Sequence, residues 1–377
     1  MNFELSDEQR QLQDSVNRLL AEQAGFEQRR KTVAGDTGFC PDLWRRLAEL
    51  GLTALTVPEA HGGFGGGAVD LLPVMQAFGR VLLLEPFLAS AVLGTTALRG
   101  AGDAALQQRL LPEVASGEMR LAWAHDEAAA RHAPVWTETR ATREGSGWRL
   151  TGGKLNVLHA AAARHTVVSA RVAGEPDSAD GRALFLVDAG AAGLQLRTHR
   201  LVDDTPAAEL TLDAVAAQPL GDPLDGAHAA AAINGTLNAG TAAVCADMVG
   251  TMETAFQLAT GYLNTRQQFG RLIGENQALR HKAAEMLVSL EICRSMAIAA
   301  AVAVDRPADD SSAADLLRAK LVIGRHSRQL CRHAIQIHGG IGMTEEHAVG
   351  HTLRRVHVLD QLFGDSEAQA ERLAALL

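Results

Sequence analysis

Apolar residues change their spacing twice along this chain, near residues 119 and 222, and that double switch constrains the fold more than any single motif. Up to about residue 118 the spacing is helical. Ser6 is an N-cap with Gln9 three positions on, the two halves of a capping box. Trp44, Leu47 and Leu50 recur at three-residue intervals before Gly51 ends that helix. From about 119 to 222 the runs shorten: Trp148-Arg149-Leu150, Thr166-Val167-Val168-Ser169, Leu184-Phe185-Leu186-Val187, Leu194-Gln195-Leu196 and Glu209-Leu210-Thr211-Leu212. Several alternate, and Gly, Asp and Ala-rich turns separate them. That pattern predicts an antiparallel sheet or small barrel with one wet face. Gly174 to Gly181, holding Pro176, Asp177, Ser178 and Asp180, reads as a surface hairpin loop.

After Gly221 and Pro223 the helical spacing returns to the end of the chain. Ala283, Met286, Leu287, Leu290, Cys293, Ala297 and Ala300 form a stripe of the kind a bundle helix turns toward a core. Pro307 with Asp309-Asp310-Ser311-Ser312 marks a turn and the next helix start. The expected class is α+β multidomain: an N-terminal helical domain over 1–118, a middle antiparallel β domain over 119–222, and a C-terminal four-helix bundle over 223–377.

Composition narrows the function. With 377 residues, 47% of them hydrophobic, the chain can bury a large core and divide into two or three domains. A formal net charge of −9 leaves no basic footprint for nucleic acid. No apolar run approaches a membrane span and no basic segment precedes an apolar one, so a soluble cytoplasmic protein is expected. Cys40, Cys245, Cys293 and Cys331 lie far apart without ligand spacing, and the last three fall in helical patterns as core residues. His333 and His338 are five apart, off one helical face. His347 and His351 have the right spacing but no acidic or cysteine partner, and with His357 they cap, pack or face solvent. No metal is expected. The flexible loop His61 to Gly67 holds a relaxed dinucleotide fingerprint, Gly63-x-Gly65-x-x-Ala68, but no β-branched strand feeds it, which rejects that reading.

Two stretches carry the chemistry. Gln336-Ile337-His338-Gly339-Gly340-Ile341-Gly342-Met343-Thr344 removes side chains where a ligand could approach the backbone, though a glycine pair on its own reads first as a helix C-cap and turn. Arg266-Gln267-Gln268-Phe269-Gly270 is the second. Together they resemble the acyl-CoA dehydrogenase family, flavoenzymes with an Arg-x-x-Phe-Gly and a Gln-Ile-x-Gly-Gly-x-Gly segment in the C-terminal helical domain. The resemblance extends through Leu5-Ser6-Asp7-Glu8-Gln9-Arg10, Leu50-Gly51-Leu52, Val57-Pro58-Glu59, Gly62-Gly63, Leu111-Pro112 and Gly117-Glu118. It implies that family's three-domain fold, FAD as cofactor, an acyl-CoA substrate and electron-transfer flavoprotein as acceptor.

The resemblance also shows what is missing. The family removes an α-proton with a glutamate while the β-hydrogen leaves as hydride to the flavin, a step that needs a positioned carboxylate. The usual base position is occupied here by Phe363, within Leu362-Phe363-Gly364-Asp365, and the alternative base position by Gly240. Asp365 is the nearest candidate for a displaced base. Segments that hold a subunit's own flavin correspond to Asp126-Glu127-Ala128, to Asn156-Val157-Leu158 after Lys154, and to Asp365, so an aromatic ring and two hydroxyl donors are lost. Residues that reach a neighbour's flavin are kept: Arg266, Gln268, Phe269, Gln336, Gly339 and Gly340. Arg266 offers a fork of donors for phosphate. Ile341-Gly342-Met343-Thr344 with Gly350-His351 and Leu362 to Asp365 is similar to the small subunits of two-subunit acyl-CoA dehydrogenases, bacterial pimeloyl-CoA dehydrogenase among them. The implied partner is a homologous subunit carrying the base, in a heterotetramer. A homodimer or homotetramer with a displaced base, and a non-catalytic homologue, are the alternatives.

Overall fold

The computed structural model describes residues 6–306 and 309–376, so Leu5 and Pro307 lie outside the described residues. The first helices are α1 (Asp7–Gln23), α2 (Phe26–Ala34), α3 (Pro41–Glu49), α4 (Ala68–Val81), α5 (Thr95–Ala101) and α6 (Ala104–Ala115), with a π-helical stretch at Leu88–Gly94 ahead of α5. The capping box of α1 is formed: Gln9 N–H donates to Ser6 Oγ and Ser6 N–H to Gln9 Oε1. In α3, Trp44 and Leu47 turn inward, and Trp44 Nε1 donates to Gly117 O at 2.8 Å, while Leu50 remains exposed.

The glycine loop expected to be flexible is instead tied down. Phe64, Gly65 and Gly66 donate backbone bonds to Ala54, Val57 and Leu55. A Cβ on Gly63 would stand 2.0 Å from Val57 O, so this glycine is there for close backbone approach.

Strands β1 (Leu121–Ala124), β2 (Arg140–Glu144), β3 (Gly147–Leu158), β4 (His165–Arg171), β5 (Arg182–Asp188), β6 (Leu194–Arg200) and β7 (Pro206–Pro219) form one sheet. Its order is β1-β4-β2-β3-β7-β5, β6 adds to β7, and a β4–β5 pairing closes the central strands into a small barrel. Phe185, Leu150, Val187, Leu210 and Val215 fill it. The sheet is mixed rather than wholly antiparallel, because β4 runs parallel to both β1 and β2. These pairs join strands far apart in sequence, where no hairpin turn imposes the antiparallel sense. The loop from Gly174 to Gly181 wraps around buried Arg171, whose guanidinium donates to the carbonyls of Thr137, Ala173, Pro176, Ser178 and Asp180.

The rest is α7 (Gly226–Thr265), a hairpin of β8 (Gln267–Gln268) and β9 (Arg271–Leu272), α8 (Gln277–Asp305), α9 (Asp310–His338), α10 (Ala348–Gln361) and α11 (Ser366–Ala374). The hairpin corrects the expectation that the chain after residue 223 is helical throughout, apart from its turns. Asp309 and Ser312 form the capping box that starts α9. Met286, Leu290, Cys293, Ala297 and Ala300 of α8 are buried as the stripe predicts, but Leu287 is exposed beside Val288 and Ile292. Among the described residues, α8 is the one helix that by length and composition could cross a membrane, contrary to the expectation that no apolar run comes close. Its alanine-rich inner face packs on α9, and 33% of its most apolar stretch is buried. Cys245, Cys293 and Cys331 are buried, and burial pushes each thiol up to about 12; Cys40 is half-buried.

Compactness does not follow the sequence divisions at 118 and 222. Residues up to 31, 68–83 and 241–377 make one unit; 32–67 and 84–240 make the other. Thus α1 and α4 belong with the bundle, and α3, α5 and α6 with the barrel.

Candidate functional site

The Arg-x-x-Phe-Gly segment begins where α7 ends, with Arg266 N–H donating to Tyr262 O at 2.9 Å. It then turns back through β8 and β9. Phe269 (φ 54°) and Gly270 (φ 78°) are the central residues of this tight turn, and both lie in the left-handed region. Two-residue hairpin turns of this kind favour Asn-Gly, because a bulky residue at positive φ is strained. Phe269 accepts that strain with its ring 101% exposed. Arg266 and Gln268 are exposed as well. Among the described residues Arg266 makes no ion pair, so its charge is available.

The glycine stretch begins where α9 ends. Gln336 is exposed on the last turn, and Gly339 adopts φ 67°, ψ −139°, a combination that glycine alone reaches cheaply. A Cβ added at Gly339 or Gly340 would meet nothing within 4 Å, so the backbone there is open to an incoming group. Ile341 and Met343 are exposed beside it. These two stretches, seventy residues apart in sequence, are brought together by rings: Tyr262 stacks on His338 with centroids 4.5 Å apart and planes at 24°.

The two positions where the resemblance leads one to expect the base, Phe363 and Gly240, hold no carboxylate. Phe363 is half-buried at φ 62°, and Gln369 Nε2 donates to its carbonyl at 2.8 Å and to that of Gly364 at 3.0 Å. Gly240 is buried within α7. Asp365 is the N-cap of α11, its Oδ1 accepting from the N–H groups of Glu367 and Ala368. A carboxylate engaged in this way serves a helix end. The structure therefore gives no support to Asp365 as a displaced base.

The barrel spends its polar groups internally. Lys154 is wholly buried, with Nζ 2.7 Å from Glu127 Oε1, 3.0 Å from Ser169 Oγ and 3.1 Å from His125 O. Glu127 also accepts from Thr139 Oγ1 at 2.7 Å and from the backbone N–H groups of Glu138 and Thr139. Burial pushes the Glu127 carboxyl up, but the Lys154 charge and these donors outweigh it and hold it below its ordinary value. Burial, reinforced by Lys154, drives His125 down to about 3, so its ring is neutral. Asp126 is exposed, Leu158 is buried, and Asn156 sits exposed at φ 49° where the β3–β7 register slips. Asn tolerates that conformation, and the bulge re-aims its side chain outward.

Comparison with known proteins places these features. Residues 6–118, 122–215 and 229–377 match the N-terminal, middle and C-terminal domains of acyl-CoA dehydrogenase. The chain belongs to the acyl-CoA dehydrogenase family. Members of that family are FAD-dependent oxidoreductases. The probable acyl-CoA dehydrogenase YngJ of Bacillus subtilis (strain 168) is 28% identical, over 98% of this chain and 97% of its own length. Among solved structures, the Tcur3481-Tcur3483 steroid ACAD superposes with a TM-score of 0.88 at 30% identity, covering 98% of this chain and 97% of that one. The ChsE4-ChsE5 complex from Mycobacterium tuberculosis gives 0.87 at 25% identity, over 100% and 98%.

Within this acyl-CoA dehydrogenase, six of the residues singled out from sequence, Arg266, Gln268, Phe269, Gln336, Gly339 and Gly340, occupy the bundle unit on two open, exposed turns. The barrel presents Asp126 and Asn156 outward, with neither the ring nor the hydroxyls of the family pattern. For a flavin, the open glycine backbone and unpaired guanidinium fit; the barrel's outward residues do not. Sequence reasoning missed two features, the Tyr262–His338 stack and the buried Lys154–Glu127 pair. The chain's one tyrosine, a helical turn before Arg266, was the available signal for the first. For the second it was a lysine in a strand between Gly153 and Leu155.

Proposed function

We propose that this chain is the non-base subunit of a two-subunit, FAD-dependent acyl-CoA dehydrogenase. Its bundle helps hold a flavin whose other wall, with the catalytic base, comes from a homologous partner. The observation that carries this reading is the asymmetry of the site. Phe363 and Gly240 stand where a carboxylate is needed, while the hairpin and the glycine turn stay open and exposed. The Tcur3481-Tcur3483 and ChsE4-ChsE5 proteins, each named by two chains, support a paired arrangement.

A flavin held against Arg266 and the Gly339-Gly340 turn would supply a hydride acceptor for the β-hydrogen of the acyl-CoA. This chain's residues bind and orient. Arg266 supplies a forked cation for a phosphate, and the Gly339-Gly340 backbone lets that group come close. Gln268 and Gln336 add amide donors and acceptors at the rims. The ring of Phe269 gains an apolar contact once another chain covers it, which offsets the strain of its turn. Proton abstraction from the α-carbon falls to the partner, and electron-transfer flavoprotein is the proposed acceptor.

The test is flavin stoichiometry. Purify the chain alone and after co-expression with a homologous chain that carries the glutamate, then quantify flavin by absorbance after gel filtration. The expected outcome is a colourless isolated chain and about one flavin per pair of chains in the complex, because only one complete wall set exists per pair. Tightly bound flavin at one per chain in the isolated protein would sink the reading.

A further inference from the structure

The two flavin-facing turns have no hydrogen bond to each other. What links them is a pair of rings, Tyr262 and His338, buttressed by a third, His347, on the far side of His338. Tyr262 lies one turn before Arg266, whose N–H it accepts, so any shift of Tyr262 shifts the hairpin's first residue. His338 lies immediately before Gly339. Its buried ring is fixed from below, Nδ1 being 2.7 Å from Ala334 O; a carbonyl can only accept, so Nδ1 carries the proton. On its other side His338 meets His347, with ring centroids 4.6 Å apart and planes at 54°. His347 in turn accepts from Val349 N–H through Nδ1 and so caps α10. The column thus runs from the end of α7, across the end of α9, to the start of α10.

We infer that Tyr262, His338 and His347 are positioning residues, a ring column that sets the spacing between the Arg266 hairpin and the Gly339-Gly340 turn so that both reach one flavin. This rests on the reading of the bundle as a partner's flavin wall. The reason for rings is geometric. A single hydrogen bond between two turns would tolerate slippage, whereas the stacked planes of half-buried Tyr262 and buried His338 fix distance and tilt together, since a shift of either sacrifices contact area along the whole face. Removing the middle ring should leave each turn folded and let their separation drift. Catalytic groups held about 1 Å out of place lose most of their advantage, and cofactor contacts behave alike.

The experiment uses the co-expressed complex and reads flavin retained after gel filtration, alongside thermal unfolding. His338→Ala should lower flavin affinity roughly fivefold to tenfold, the worth of one to two aromatic contacts. His338→Phe, which keeps a ring but loses the Nδ1 proton, should restore retention to within about twofold of the parent. Leu330→Ala, a core deletion on the same helix, serves as the stability control. It should reduce the unfolding temperature at least as much as His338→Ala yet hold its flavin. Should His338→Ala express poorly, Tyr262→Leu tests the same contact from the other side. If flavin loss simply follows the unfolding temperature across all variants, or if His338→Phe fails to rescue, the column is ordinary packing. Arg266→Ala separates the two ideas. Loss of flavin there with none in His338→Ala overturns the column alone, and no loss in either overturns the flavin wall itself.

Discussion

The barrel and the bundle treat their polar residues in opposite ways. In the barrel, Lys154, Glu127, Thr139, Ser169 and His125 are turned inward and satisfied by one another. In the bundle, Arg266, Gln268 and Gln336 are turned outward beside open glycines, and a phenylalanine ring stands in water on a strained turn. The first arrangement needs nothing else. The second is complete only when something covers it, since an exposed strained ring stabilises nothing in the isolated chain. The lesson is that a domain whose polar groups satisfy one another holds together without a bound group, while the two exposed turns of the other leave partners unmet.

The comparison breaks most forcefully at Lys154. Lys154→Met removes the cation from a buried pair and strands the Glu127 carboxylate, so unfolding free energy should fall by about 3–5 kcal/mol in urea titration. The pH dependence follows with a definite sign. The Glu127 carboxyl is depressed in the folded protein, so its contribution is present above the ordinary glutamate range near pH ~4.3. It is lost as pH falls through the depressed value. Glu127→Gln should therefore flatten the acid limb of the stability profile, and an unchanged limb would show that the pair carries no such linkage.

Arg266→Ala comes next, and it should act on the other side of the comparison. Charged contacts to phosphate are worth about 1.5–3 kcal/mol each, so flavin retention by the complex should drop roughly ten- to a hundredfold. Thermal unfolding of the isolated chain should barely move, because the side chain is exposed and unpaired. Equal flavin in mutant and parent complexes would remove the phosphate role.

The smallest effect sharpens the contrast most. Phe269→Asn puts the residue that such turns prefer at the strained position, so the isolated chain should gain about 0.5–1 kcal/mol. Assembly with the partner should weaken, since the exposed ring is lost. Stability and association moving in opposite directions, followed by urea unfolding and analytical ultracentrifugation, would mark Phe269 as an interface residue. Movement in the same direction would mark it as ordinary packing.

How legible all this was depends on what each element reports. The five apolar runs named from sequence all lie in strands β3 to β7: β3, β6 and β7 mix buried and exposed positions, while β4 and β5, buried almost throughout, are legible as longer runs rich in Val, Leu and Phe. Strand β1, Leu121–Ala124, is buried at every position and β2, Arg140–Glu144, at one, so neither has a period to read. The Arg266 segment was recognisable by resemblance, yet its hairpin was not, since Phe at the first turn position hides the usual Asn-Gly signal. The ring column and the Lys154–Glu127 pair join residues far apart in the chain, beyond the reach of local spacing.

The burial of three of the four thiols has a practical side. With Cys245, Cys293 and Cys331 sealed in the bundle as protonated thiols, an alkylating dye meets only half-buried Cys40 in the folded chain. Cys40 lies in the barrel unit and the other three in the bundle unit. Nature has thus supplied a single-site fluorescent handle on one unit and a silent counter on the other: each additional dye taken up per molecule records an opening of the bundle helices, without any engineered residue.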